Sequence, residues 1–196
     1  VTNGQPFVVD STRVYVVQLT NSYSCITNDS ITVTVLNLPN VDAGSNKEIC
    51  IYDSVQLIAS GANIYNWSNS TDIFSDSVYV APLLTTSFYL IGEDSNGCIN
   101  NDSLTISVNN LPDINIDSVS PICLGDSITL NASGGILHLW SGGINNNTSF
   151  IPDSSQIFTV NVTDSNGCEN IDSVQINVNS LPTVFAGNDT SICYLD

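Results

Sequence analysis

The sequence has very few cations. Among its 196 residues only Arg13 and Lys47 are basic, against 19 acidic residues, so the formal net charge is −17 at pH 7. Proteins that bind nucleic acid or an anionic membrane use Lys and Arg to neutralise phosphates. The composition therefore argues against both partners, although it allows metal cations. The shortage of Lys and Arg also leaves trypsin-like proteases almost nothing to cleave, which suits a protein exposed outside the cell.

The sequence also lacks a long apolar segment. No run of about 18 apolar residues occurs, so no membrane insertion is predicted. No secretory signal opens the chain. That absence carries little weight here, because the repeats described below indicate an excerpt from a longer chain.

Recognisable catalytic and zinc-binding motifs are missing. The chain has one histidine, His138, and its six cysteines include no Cys-x-x-Cys pair, so a zinc site is not expected. No nucleophile elbow, HExxH helix or phosphate-binding Gly loop occurs. Paired carboxyl groups for glycoside hydrolysis stay open at this stage. Because most Asp residues have another explanation, we expect the protein not to be an enzyme.

The chain repeats itself with a period of about 70 residues. Leu-Pro recurs at Leu38, Leu111 and Leu181, and the intervals are 73 and then 70 residues. This phase predicts two complete repeats, 38–110 and 111–180. It also predicts that 1–37 is the C-terminal half of one repeat and 181–196 the start of another.

Each repeat contains six or seven short segments with apolar residues at alternate positions, separated by Gly, Asn, Asp and Pro. The segments "DSVQLIAS" (53–60) and "DSITLNAS" (126–133) are examples, and no segment has helical periodicity. The pattern predicts an all-β chain of tandem, immunoglobulin-like antiparallel β-sandwiches, with Trp67 and Trp140 in two cores. A jelly roll or barrel is the alternative, but a repeat of this length is small for either.

The cysteines follow the same phase. "DSNGC" occurs at 94–98 and again at 164–168, and Asp-Ser-Asn-Gly is typical of a hairpin turn. We call Cys25, Cys98 and Cys168 the turn cysteines, and the cysteines of the recurring "IC", Cys50, Cys123 and Cys193, the strand cysteines. Pairing within a repeat predicts the disulfides Cys50–Cys98 and Cys123–Cys168, with Cys25 and Cys193 bonded outside the sequence. Bridges between repeats or between chains are the alternative.

Two acidic positions beside glycine are candidates for calcium. "NVDAGSNKE" (40–48) and "VFAGND" (184–189) each follow a Leu-Pro junction, and they carry Asp42 and Asp189. Calcium between adjacent domains would stiffen the array and offset some negative charge. The middle repeat lacks the glycine, which weakens the prediction.

Aspartate is followed by Ser or Thr far more often than composition explains. Of 16 Asp residues, 12 precede Ser or Thr, and eight of those pairs continue with an aliphatic residue or Thr. Asp-Ser is good turn chemistry before a strand, which explains part of the excess. The triplet also resembles the acceptor motif of a bacterial general O-glycosylation system that modifies exported proteins. The candidate serines are Ser11, Ser30, Ser54, Ser77, Ser103, Ser118, Ser127 and Ser173.

The order of motifs resembles a known family. The series "IC..DSV.L.ASG...Y.WS", a "V.P..TTSFYL" strand and "DSNGC...DS..I.V...P" is similar to the immunoglobulin-like, PKD-like repeats of giant type IX-secreted bacterial surface adhesins. This resemblance implies a segment of a secreted, extracellular fibre used for attachment, gliding or predatory cell–cell contact. Its implied partners are further copies of the repeat, in a homo-oligomeric or bundled filament. Two other functions stay open: a calcium-dependent carbohydrate- or protein-binding module, and a non-catalytic appendage of a secreted hydrolase.

Overall fold

The chain is built from β-strands. The computed structural model describes residues 6–69, 75–189 and 191, and within them it contains strands, one short 3-10 helix at Ser141–Gly143 and no α-helix. The all-β prediction is confirmed. The strands are β1 Arg13–Thr20, β2 Ile26–Val33, β3 Lys47–Cys50, β4 Val55–Ile58, β5 Ile64–Trp67, β6 Ser77–Val80, β7 Thr86–Glu93, β8 Ile99–Asn109, β9 Asn115–Ile116, β10 Ile122–Cys123, β11 Ile128–Leu130, β12 Ala132–Ser133, β13 Leu137–Trp140, β14 Thr148–Phe150, β15 Gln156–Thr163, β16 Glu169–Ile176 and β17 Val178–Asn179.

The contacts within the chain divide it into two compact units. Unit 1 comprises Val1–Lys47 and Ser54–Ser107, and unit 2 comprises Glu48–Asp53 and Val108–Asp196. The short segment Glu48–Asp53, which contains Cys50, therefore belongs to unit 2 although the sequence phase assigns it to the first complete repeat. The predicted repeat boundaries remain predictions.

Unit 1 contains the β1–β2 hairpin and the strands of a two-layer sandwich. In one layer β4 pairs with β6, and in the other the order is β8–β7–β5. Most of β3 belongs to unit 2. Alternate residues of β7 are buried, as a strand with one face on a core requires. Leu57 and Val78 from the first layer, and Trp67 and Leu90 from the second, are at most 4% exposed.

Unit 2 repeats the arrangement. Strand β11 pairs with β14, β13–β15–β16 form an antiparallel sheet, and β10 runs parallel to β17. Its core draws on both layers: Leu130, Trp140, Phe158, Val160 and Ile176 are 5% exposed or less. The antiparallel layers facing one core form the immunoglobulin-like sandwich that the strand pattern predicts.

One glycine in each unit lies against another backbone segment. Gly61 has φ +87° and Gly134 has φ +115°, and a Cβ at either would collide with the carbonyl oxygen of Asn40 or Asp113 respectively. Both glycines directly follow an Ala-Ser pair. Backbone segments approach closely at these positions because glycine has no side chain.

We expect Gly134→Ala to lower the free energy of unfolding by at least about 3 kcal/mol, because it combines a left-handed φ with a steric clash against backbone. Gly125→Ala is the matched control, since Gly125 has φ +97° and open space around its Cβ position. The control should cost only about 1–2 kcal/mol. Urea unfolding followed by circular dichroism measures both, and equal losses would contradict the predicted clash.

Candidate functional site

An aspartate side chain closes the turn before Cys98 and the turn before Cys168. Asp164 Oδ1 accepts hydrogen bonds from the backbone N–H of Asn166 at 2.8 Å and of Cys168 at 2.9 Å. Asp94 Oδ1 accepts from Asn96 and Cys98 at the same two distances. Each carboxylate is therefore committed to its own turn, and its role is to fix the position of the cysteine that follows.

Backbone hydrogen bonds lower the pKa of Asp94 and of Asp102. The backbone N–H of Cys98 is the main cause that lowers the pKa of Asp94 below its ordinary value. The backbone N–H of Ala43, 2.8 Å from Asp102 Oδ2, is the main cause that lowers the pKa of Asp102. Both groups are therefore ionised acceptors at neutral pH, in agreement with structural roles.

The sequence "NSYSC" forms the same turn despite its different letters. Asn21 Oδ1 accepts from the backbone N–H of Tyr23 at 2.9 Å and of Cys25 at 3.0 Å. Ser24 takes φ +63° where the other two turns have Gly97 and Gly167. An amide oxygen thus replaces the carboxylate oxygen, and Cys25 occupies the same place in its hairpin.

The strand cysteines lie at the opposite end of the last strand. In unit 2, Cys123 is paired in parallel register with Asn179, and Leu124 N donates to Asn179 O at 2.8 Å. Cys50 has the equivalent surroundings: Ile51 N donates to Asn109 O, also at 2.8 Å. Cys50 and Cys123 therefore each lie beside the Asn that comes two residues before a Leu-Pro pair.

A disulfide joins Cys50 to Cys168 within unit 2, with Cα atoms 5.6 Å apart and a sequence separation of 118. Cys168 is fully buried. Two residues beyond it, Asn170 Nδ2 donates to Pro112 O at 2.9 Å. The bond and the hydrogen bonds to the carbonyls of Asn109 and Pro112 thus bracket residues 109–112, which we call the linker segment.

The predicted pairs Cys50–Cys98 and Cys123–Cys168 are wrong. Cys98 is a half-exposed free thiol, and Cys123 and Cys25 are exposed free thiols. Cys193 lies outside the described residues. The bridge between repeats, which the sequence left as the alternative, is the one that forms.

The geometry of unit 2 explains this correction. Cys123 lies beside Asn179, whereas Cys168 begins the strand region that ends at Asn179, 11 residues later. Extended chain covers about 35 Å over that distance, and a disulfide needs Cα atoms within about 7 Å. A turn cysteine and the strand cysteine of the same repeat are therefore too far apart to bond.

Most of the candidate serines are accessible. Seven are exposed, and Ser77 at the start of β6 is half-buried. Ser103 and Ser173 lie on β8 and β16, and Ser54 and Ser127 lie just before β4 and β11. Ser30 and Ser173 each donate a backbone N–H to the side chain of the preceding Asp, and both lie within strands, β2 and β16.

The two tryptophans lie in the cores, and their indole nitrogens differ. Trp140, 5% exposed, donates from Nε1 to Asn146 Oδ1 at 3.0 Å. Trp67 is 1% exposed, and its Nε1 has no hydrogen-bond partner in the part of the chain described. His138 lies on β13 opposite Val162.

The structure lends no support to calcium at Asp42 or Asp189. Asp42 forms a β-bridge with Ser60, and its Oδ1 accepts from Gly44 N at 2.8 Å. Asp189 is exposed and outside any strand. Among residues 6–69, 75–189 and 191, no group of three or more His, Cys, Asp or Glu side chains is placed to hold a metal ion.

Comparison with known proteins gives structural likeness only. No family model and no curated protein matches the chain. The eight N-terminal immunoglobulin domains of the Down syndrome cell adhesion molecule align at TM-score 0.49 with 13% identity, over 88% of this chain and 32% of that one. The insect immune protein hemolin aligns at 0.40 with 13% identity, over 85% and 56%.

Fibronectin(III)-like modules of CbhA from Clostridium thermocellum align at TM-score 0.33 with 10% identity, over 77% of this chain and all of that one. The chain spans about a third of the first structure's length and just over half of the second's. The assignment of the fold rests on the sheet topology described above. In the described part of the chain, no helix has the length and apolar character needed to cross a bilayer.

We expect Cys50→Ser to lower the free energy of unfolding by about 3–5 kcal/mol. Closing a loop of this length contributes about 5 kcal/mol in the chain-entropy model, and measured values are often smaller. Cys123→Ser is the matched control, since that thiol is exposed and unbonded, and it should change stability by less than about 0.5 kcal/mol. Urea unfolding without reductant, followed by tryptophan fluorescence, measures both. Identical midpoints would contradict a stabilising bond.

Proposed function

We propose that this chain is a structural segment of a secreted, cell-surface fibre of tandem immunoglobulin-like domains that serves in attachment, gliding or cell–cell contact. The observation that carries the proposal is the closure of the linker segment. A covalent bond and two hydrogen bonds hold the chain where one repeat passes into the next. A binding module that works as a single domain has no need for such a closure.

The linker segment limits movement between adjacent domains, which favours an extended array over a flexible one. It is four residues long, and its Pro112 fixes one backbone dihedral and is itself buried. Long Gly/Ser-rich linkers, which let domains move independently, are absent from the sequence. Domains joined in this manner suit a load-bearing stalk, with contact to a target made elsewhere along the fibre or by bundled copies.

The charge and redox chemistry support an extracellular location. A net charge of −17 keeps neighbouring fibres soluble through mutual repulsion. Disulfides form and persist in oxidising compartments and are rare in the cytosol, and Cys50–Cys168 is such a bond. The proposal includes export by the type IX secretion route and association with further copies of the repeat.

We also propose O-glycans on the exposed serines of the Asp-Ser-aliphatic triplets. Ser103 and Ser173 are exposed, whereas the residues that follow them, Leu104 on β8 and Val174 on β16, are buried and half-buried respectively. Glycans there would cover part of the apolar surface of the outer sheet faces, where Tyr89 is 58% and Ile171 67% exposed.

No catalytic role is proposed, because no arrangement of the described side chains calls for one. The calcium-dependent binding module and the hydrolase appendage both lack a specific observation in their favour.

Immunogold labelling of intact producing cells tests the proposed role. Antibodies raised against this chain should label thin filaments that extend from the cell surface, and their monovalent fragments should reduce attachment of the cells. A control serum absorbed with the purified chain should do neither. Label confined to the cytoplasm would overturn the proposal.

Intact-mass and peptide mass spectrometry of the native protein test the glycans. We expect added hexose-type mass on peptides that contain Ser103 or Ser173, and none on Ser95 or Ser165. These two control serines are also exposed and follow Asp, but Asn stands where the triplet has an aliphatic residue. A native mass equal to that of the bare polypeptide would contradict glycosylation.

A further inference from the structure

Cys123 is a free thiol in the backbone setting that bonds Cys50. Asp126 N donates to Cys123 O at 3.0 Å, as Asp53 N does to Cys50 O at 3.0 Å. The residue after Cys123 donates its backbone N–H to Asn179 O, and the residue after Cys50 donates its backbone N–H to Asn109 O. Cys123 therefore lies beside the Asn that precedes Leu181-Pro182, as Cys50 lies beside the Asn that precedes Leu111-Pro112.

Cys98 is a free thiol in the setting that bonds Cys168. An Asp carboxylate holds both cysteines in the same hairpin turn. Two residues after Cys98, Asn100 Nδ2 donates to Pro39 O at 2.9 Å, and Asn170 Nδ2 donates to Pro112 O at the same distance. Cys98 and Cys168 are thus each placed beside the Pro of a Leu-Pro pair.

A Leu-Pro linker brings the two settings together, because the strand cysteine lies beside the Asn before it and the turn cysteine lies beside its Pro. At the linker segment, a strand cysteine beside Asn109 and a turn cysteine beside Pro112 are both present, and they are bonded. At Leu181-Pro182 the strand cysteine, Cys123, is present and exposed. At Leu38-Pro39 the turn cysteine, Cys98, is present and only half-buried, whereas its bonded equivalent Cys168 is fully buried. The cysteine missing at each linker is the one that a further copy of the repeat would supply.

We infer that every strand cysteine in the array bonds to the turn cysteine of the repeat that follows it. Cys123 then pairs with the turn cysteine of the repeat that begins after Pro182. Cys98 pairs with the strand cysteine of the repeat that contains Cys25. The inference rests on the tandem organisation in the proposed function, and it does not depend on adhesion.

The bonds form by ordinary thiol–disulfide exchange. A protein disulfide of the oxidising compartment is attacked by one thiolate, which gives a mixed disulfide, and the second cysteine's thiolate then displaces it. One S–S bond forms in the array, and the oxidant's disulfide is reduced to two thiols. Two electrons pass to the oxidant, and two protons leave the cysteine pair.

The resulting bonds interleave along the chain. Cys123 lies inside the loop closed by Cys50 and Cys168, whereas its inferred partner lies beyond residue 182. Each complete repeat would carry one bond at each of its two linkers. No repeat would contain a disulfide within itself.

A chain with one duplicated repeat tests the inference. A second copy of 111–180 is inserted after residue 180 of the full sequence, and 181–196 follow the copy. After oxidative folding and alkylation without reduction, we expect Cys123 to be protected and joined to the turn cysteine of the inserted copy. In the unmodified chain Cys123 should alkylate fully.

Replacing the inserted turn cysteine with Ser is the matched control, and it should restore alkylation of Cys123. A peptide that links Cys123 to Cys168 of its own repeat, or a Cys123 that stays reactive beside the inserted repeat, would overturn the inference. The readout is independent of cell attachment. Correct pairing with no surface filaments would therefore leave the inference standing and remove only the adhesive role.

Discussion

The arrangement of this chain depends on a short parallel pairing between β10, the strand that carries Cys123, and β17, the last strand of the sandwich. Two residues of β10 lie beside two residues of β17, and the pairing fixes the strand cysteine at the end of the domain where the chain leaves. The hairpin that carries the turn cysteine lies at the other end, since the last strand separates the two. Opposite ends of one repeat cannot share a bond, whereas adjacent ends of successive repeats can.

The sandwich has an ordinary architecture, and the small size of its core explains why a cross-link is useful. The core of unit 2 rests on a few large side chains, chiefly Trp140, Phe158 and Leu130. A domain of about 70 residues buries a modest apolar area, so additional constraints contribute a large share of its stability. Placing the cross-link at the linker, rather than through the core, stabilises the region that a larger core would not protect.

Strand content and core positions were readable from the sequence because burial imposes alternation, and Trp67 and Trp140 lie where that alternation placed them. The turn at Asp164 was readable too, because Asn-Gly after an Asp has few other conformations. The cysteine pairing could not be predicted from the sequence, because spacing gives the phase of a repeat but does not show beside which end of the last strand the strand cysteine lies. The 11-residue interval from Cys168 to Asn179 was a usable signal only once β10 was known to lie beside Asn179.

The separation of 118 residues between Cys50 and Cys168 has a mechanical meaning. A force that pulls on the chain passes from Cys50 through the sulfurs to Cys168, so the intervening polypeptide carries no load as long as the bond is intact. About 400 Å of contour length, at about 3.4 Å per residue, is withheld from extension even when the sandwich unfolds. In this chain that length becomes available for extension only once the bond is reduced and the sandwich unfolds, so the redox state of the surroundings limits how far the chain can stretch.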